Sequence, residues 1–155
     1  MLNLFKEKKG KYKMTNFDKN CLFCKFSKHE IPCEIVFENE KVMALLDINP
    51  AGELNGHTLI IPKKHFKDLT DIEEPYLTEI IKTAQKLTKA ILKATNAEGL
   101  NLIQNNGKAA GQCIMHAHFH LIPRKHQDSI RIDENRRKTK PLELIETAKA
   151  IKKEL

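Results

Sequence analysis

The 155-residue chain has no tryptophan, only 6% aromatic residues, six glycines and six prolines. So few glycines and prolines exclude collagen-like and low-complexity chains. No stretch approaches the ~20 apolar residues of a membrane span. The start is basic but lacks the apolar run of a signal peptide, so a cytoplasmic, disulfide-free setting is expected. Charge excess is missing from the centre. Residues 20–123 hold eleven bases against twelve acids, whereas residues 1–19 and 124–155 each carry four positive charges net. The overall +7 thus lies in the two tails. A nucleic-acid module carries its basic face on the folded body, so a nucleic-acid partner is not expected. Solvated basic tails are favoured over a binding arm.

What is present suits one domain with one core: 41% apolar and 30% charged residues. Residues 1–19 are Lys-rich and aperiodic and read as a disordered tail. Met14 lies within it and could also start translation. Strands are expected over Glu34–Glu38, Lys41–Asp47, His57–Ile61, Gly99–Gln104 and Ile114–Ile122. Asp71 with Glu74 reads as a capping box, with Pro75 in the first turn. The helix that follows runs to about Thr95 and presents Leu77, Ile80, Ile81, Ala84, Leu87 and Ile91 to the core. A last amphipathic helix after Pro141 carries Leu142, Ile145, Ala148 and Ile151 on one side. Segregated strands and helices predict an α+β fold with an antiparallel sheet.

Two patterns carry chemistry. The first is His116-Ala117-His118-Phe119-His120. Strand side chains alternate faces, so the three histidines line one side and Ala117 and Phe119 enter the core. Imidazole is a nucleophile, a base near neutral pH and a metal ligand. Isolated His29 and His126 read as surface residues. The second pattern is Cys21-x-x-Cys24, which suits a metal site or a redox pair; no thioredoxin-like βαβ context surrounds it. Cys33 and Cys113 stand alone.

The segment H-A-H-F-H-L-I resembles the signature of the histidine triad (HIT) family. C-L-F-C, A-L-L-D-I-N-P, G-H-T-L-I-I-P-K-K-H and N-N-G-K-A-A-G-Q precede it in the family's order. The resemblance spans residues 20–125 and leaves 126–155 as an extension with a helix. It implies a five-stranded antiparallel sheet with one long helix, pairing into a two-fold homodimer. It also implies binding of a purine nucleotide of AMP type and hydrolysis at its α-phosphorus. The substrate implied is a nucleoside phosphoramidate or related AMP conjugate; dinucleoside polyphosphate cleavage or nucleotide binding with little turnover are the alternatives.

By the same resemblance His118 is the nucleophile, with His116 and His120 beside the phosphate and His57 behind, orienting an outer histidine. Asp47 would take the ribose hydroxyls and Ile48 the base, with Phe23 and Leu45 near it or in the core. Asn105, Gly111 and Gln112 would contact the phosphate. Cys113 stands where a hydroxyl residue is commoner, and a thiol is the weaker donor. Cys21, Cys24, His65 and His116 would hold a structural zinc, a closed Cys2His2 set.

Overall fold

The computed structural model describes residues 17–132 and 136–155. The Lys-rich start through residue 16, Met14 included, lies outside them. Five strands form one antiparallel sheet: β1 (Ile35–Glu38), β2 (Val42–Leu46), β3 (Thr58–Pro62), β4 (Gly99–Gln104) and β5 (Phe119–Arg124). Their order is β1-β2-β3-β5-β4, so the chain returns β5 between β3 and β4. Among the described residues three α-helices accompany them: α1 (Leu22–Ser27), α2 (Glu74–Thr95) and α3 (Pro141–Lys153). This is the α+β architecture expected from the sequence. Among the described residues no helix is long and apolar enough to cross a membrane.

The central strands β2, β3 and β5 are largely buried, and strand alternation sorts their residues between two clusters. Val42, Ala44, Ile60, Phe119 and Leu121 pack with Ile80, Ala84, Leu87 and Ile91 of α2. Met43, Leu45, Leu59 and Ile61 face the other way, against Cys21, Phe23 and Cys24 of the α1 segment. His120 pairs with Leu59 and lies between Phe119 and Leu121, so it takes the α1 face, opposite the long helix. The histidines thus occupy the face that the short helix covers only in part.

Local expectations change at three places. The capping box at Asp71 does not form. Asp68 instead caps a 3-10 turn at Leu69–Asp71, accepting from Thr70 N, and α2 starts from Glu73 without a side-chain cap. Ile81 is 47% exposed, because the 100° step from Ile80 carries it off the buried stripe. The third is the triad, which is not one continuous strand. Only His120 lies in β5; His116 and His118 precede it outside the ladder, where Ala117 N donates to Phe66 O at 2.6 Å. The amphipathic α3 forms as expected, with its apolar side uncovered in the single chain: Leu142 is 65% and Ile145 52% exposed.

Candidate functional site

Tautomers give this site its order, because backbone groups fix where the ring protons sit. His118 Nδ1 lies 2.7 Å from the carbonyl oxygen of His116. A carbonyl only accepts, so Nδ1 carries the proton and Nε2 keeps its lone pair. Burial holds the imidazole below its ordinary pKa, which favours this neutral form. Phe23, 3% exposed, sets its ring edge-on to His118 at 5.0 Å and to His116 at 5.8 Å. Phe23 thus walls the histidines, and it and Leu45 belong to the core on this face.

His116 is oriented in the opposite sense. Its Nε2 lies 2.9 Å from Pro62 O and so carries the proton. The bare Nδ1 faces the thiols, 3.4 Å from Cys21 Sγ and 3.6 Å from Cys24 Sγ. Cys24 Sγ is also 3.3 Å from His65 Nδ1. One donor atom from each of Cys21, Cys24, His65 and His116 lies within 4.8 Å of the others. A tetrahedral zinc separates its nitrogen and sulfur ligands by ~3.6 Å, so the residues fit the ion. The second nitrogen of a zinc-binding histidine commonly donates to a carbonyl, as His116 does. Burial pushes the Cys24 thiol up to about 11 and holds His116 down to about 4. Such a set becomes two thiolates and two neutral imidazoles when a cation displaces the thiol protons. The redox alternative has little support from this geometry, since both thiols point at imidazole nitrogens.

On the other side of His118 the order continues. His120 approaches it ring to ring at 4.9 Å. His57 Nε2 lies 2.9 Å from His120 Nδ1. Ala51 N donates to His57 Nδ1 at 2.9 Å, so the neutral His57 carries its proton on Nε2 and passes it towards His120. His120 then accepts at Nδ1 and keeps its own proton on Nε2. Burial, helped by the neighbouring His118 and His57, holds His120 down to about 4; Asp47 opposes this. His57 is lowered by burial against the same carboxylate.

Asp47 Oδ2 is 3.6 Å from His57 Nδ1, and Oδ1 accepts from Asn49 N. The carboxylate is held yet partly open, and Ile48 beside it is 90% exposed. Both stand at the outer edge of the histidine row. His29 is on the surface, paired with Glu38, and His126 is exposed.

The Gly-rich loop enters from the end of β4. Gln104 pairs with Phe119, so Asn105 leaves β4 at the end of the ladder where the histidine segment joins β5. Gly111 has φ +84°, the left-handed region that favours glycine, and a Cβ there would lie 3.7 Å from the Asn105 amide nitrogen. Gln112 departs from the expectation of a phosphate contact. Its side chain is buried: Oε1 accepts from Gly107 N, and Nε2 donates to Lys67 O and Ile114 O. Its own N–H donates to Gly107 O. With these donors spent on backbone carbonyls, Gln112 braces the loop against its surroundings. Cys113 is exposed, 3.6 Å from Gly111 O, and shares a cavity of about 320 Å³ with Cys21, Leu22 and His65. The thiol thus faces the cysteine end of the site. Sequence reasoning missed the Pro62 carbonyl and the Ala51 amide, since backbone groups leave no residue signature.

Comparison with known proteins agrees with this geometry. The HIT domain family model matches residues 28–127. A Candida albicans protein named adenosine 5'-monophosphoramidase is 44% identical over 110 residues, 68% of this chain and 71% of its own. A solved structure from Streptococcus mutans superposes with TM-score 0.84 at 38% identity, covering 91% of this chain and 88% of its own. A Zn-bound histidine triad family protein from Mycobacterium smegmatis superposes with TM-score 0.66 at 36% identity, covering 76% and 85%. The chain belongs to the HIT family.

Two outcomes are expected. Purified protein carries one zinc per chain by elemental analysis, and Cys24→Ser loses both the zinc and more than about 10 °C of Tm; a metal-free native protein of unchanged Tm contradicts the site. The second concerns pH. His120 is lowered on folding, so the unfolded chain binds the extra proton between its ordinary ~6.5 and about 4. Stability is therefore full above ~6.5 and is lost as pH falls through that window. Removing the group in His120→Gln flattens the decline by about one proton, read from urea midpoints at successive pH values; an unchanged slope contradicts it.

Proposed function

We propose that this HIT-family chain is a nucleotide hydrolase that cleaves purine nucleoside phosphoramidates or related AMP conjugates at the α-phosphorus. The observation that carries the reading is the His118 Nδ1–H bond to the His116 carbonyl, which leaves Nε2 as a neutral, aimed nucleophile. Nε2 forms a bond to phosphorus and the bond from phosphorus to the leaving amine breaks, the amine taking a proton from water. Water then attacks phosphorus, the P–Nε2 bond breaks, and the monophosphate leaves with His118 restored. His120 Nε2–H donates to a phosphate oxygen whose charge grows in both steps. The Asn105 amide supplies a second donor from the loop. Asp47 accepts from the ribose hydroxyls, as acids do in other nucleotide sites. Ile48 offers exposed apolar surface to the purine.

A zinc ion held by Cys21, Cys24, His65 and His116 is structural in this reading. It ties the α1 segment to the chain just before the nucleophile, because all four donors are protein side chains and no position is left for substrate. Its partner residue His116 is thereby fixed, and with it the carbonyl that orients His118.

The test is a panel of adenosine phosphoramidate, diadenosine tri- and tetraphosphate and a sugar nucleotide, each with His118→Ala as control. The expected result is preference for the phosphoramidate and a loss of at least about a thousandfold in kcat for His118→Ala. Undiminished turnover in that variant removes the mechanism, and preference for a dinucleoside polyphosphate replaces the substrate class.

A further inference from the structure

The orientation of His120 begins at a backbone amide, and that amide sits in an irregular loop. Ala51 lies in the 49–56 loop between β2 and β3, which has no ladder partner of its own. At Gly52 the loop meets the extension beyond β5. Arg124 Nε and one of its terminal nitrogens grip the Asp128 carboxylate at 2.6 and 2.5 Å, and Asp128 is 5% exposed. The same guanidinium donates to Ile130 O at 2.8 Å, and Ile130 N donates to Asp128 Oδ1. This clamp fixes Ile130 in place, and its side chain lies on Gly52. A Cβ at Gly52 would stand 2.8 Å from Ile130 Cδ1, and Gly52 has φ +82°. Only a glycine leaves room for that contact and takes that backbone conformation without strain.

We propose that Ile130 is a positioning residue for the reaction: seated on Gly52 by the Arg124–Asp128 clamp, it holds the Ala51 amide on His57 and thereby fixes the tautomer of His120. The chain of contacts runs from Ile130 to Gly52, from the adjacent Ala51 N–H to His57 Nδ1, and from His57 Nε2–H to His120 Nδ1. Without the amide, His57 is free to carry its proton on Nδ1, towards Asp47, and present a lone pair to His120. His120 would then place its own proton on Nδ1 and turn a lone pair, in place of a donor, to the phosphate. The inference rests on the proposed function for its effect on rate, but the tautomer is a property of the resting protein.

The test therefore has two arms on the full-length, zinc-loaded chain. Long-range ¹H–¹⁵N spectra of the imidazoles, without substrate, are expected to show Nε2–H on both His57 and His120 in the wild type. In Ile130→Ala, and in Ala51→Pro, which deletes the N–H, His57 is expected to shift towards the Nδ1–H form. With the phosphoramidate substrate, Ile130→Ala is expected to lower kcat about three- to tenfold, the rate equivalent of one neutral hydrogen bond, with KM within about twofold. Ile130→Leu, which keeps an apolar chain over Gly52, is expected to restore it. If Ala51→Pro fails to fold, Ile130→Ala alone decides. Unchanged tautomers in Ile130→Ala, or wild-type kcat, overturn the proposal. Turnover surviving in His118→Ala would instead overturn the proposed function and leave the spectra standing.

Discussion

A single carbonyl, that of His116, joins the two halves of this site. It accepts the Nδ1 proton of His118, so the free lone pair of the candidate nucleophile sits on Nε2. The residue that owns the carbonyl cannot drift, because its side chain is bound at both nitrogens. Nε2 donates to Pro62 on β3, and Nδ1 faces Cys21 and Cys24. The Cys21, Cys24, His65 and His116 cluster and the candidate nucleophile, His118, therefore meet through one residue, His116. A zinc held by that cluster would reach His118 through this backbone.

The sheet makes that economy possible. Its helix-side face, packed on α2, contains the bulk of the apolar core, and Phe119 and Leu121 belong to it. The opposite face is shallower and ends in the α1 segment, where Phe23 fills the space between His116 and His118. Burial on that face lowers the imidazole pKa values and keeps the rings neutral near physiological pH. Neutral rings with proton positions dictated by backbone donors and acceptors form a directional series, from the Ala51 amide at one end to the thiols at the other.

Much of this was legible in the residues. Alternation of His116, His118 and His120 with Ala117 and Phe119 places the rings on one side, and the ring contacts show them there. Cys21, Cys24, His65 and His116, the four donors that the family resemblance implies, are brought together by the fold. Strand limits within β1 to β4 fall within about a residue of their hydrophobic runs. What was illegible has a common physical cause: it depends on backbone groups or on tertiary partners. The strand was expected from Ile114, but Ala117 gives its N–H to Phe66 instead of a ladder. Gln112 has the amide a phosphate would want, yet its hydrogen bonds close the loop. Asp71 had the spacing of a cap, but it accepts from Lys67 N and leaves capping to Asp68. Pattern alone also put Ile81 in the core, which does not hold in the folded chain.

The central claim is that the His116 carbonyl aims His118 Nε2 at phosphorus. Rapid quench of a single turnover, with a radiolabelled adenosine phosphoramidate, followed by digestion and mass spectrometry, tests it most directly. The account predicts a base-stable, acid-labile nucleotidyl adduct that forms and decays at rates consistent with kcat and maps to His118 through Nε2. An adduct on His120 or Cys113, or turnover with no adduct on any residue, would contradict it.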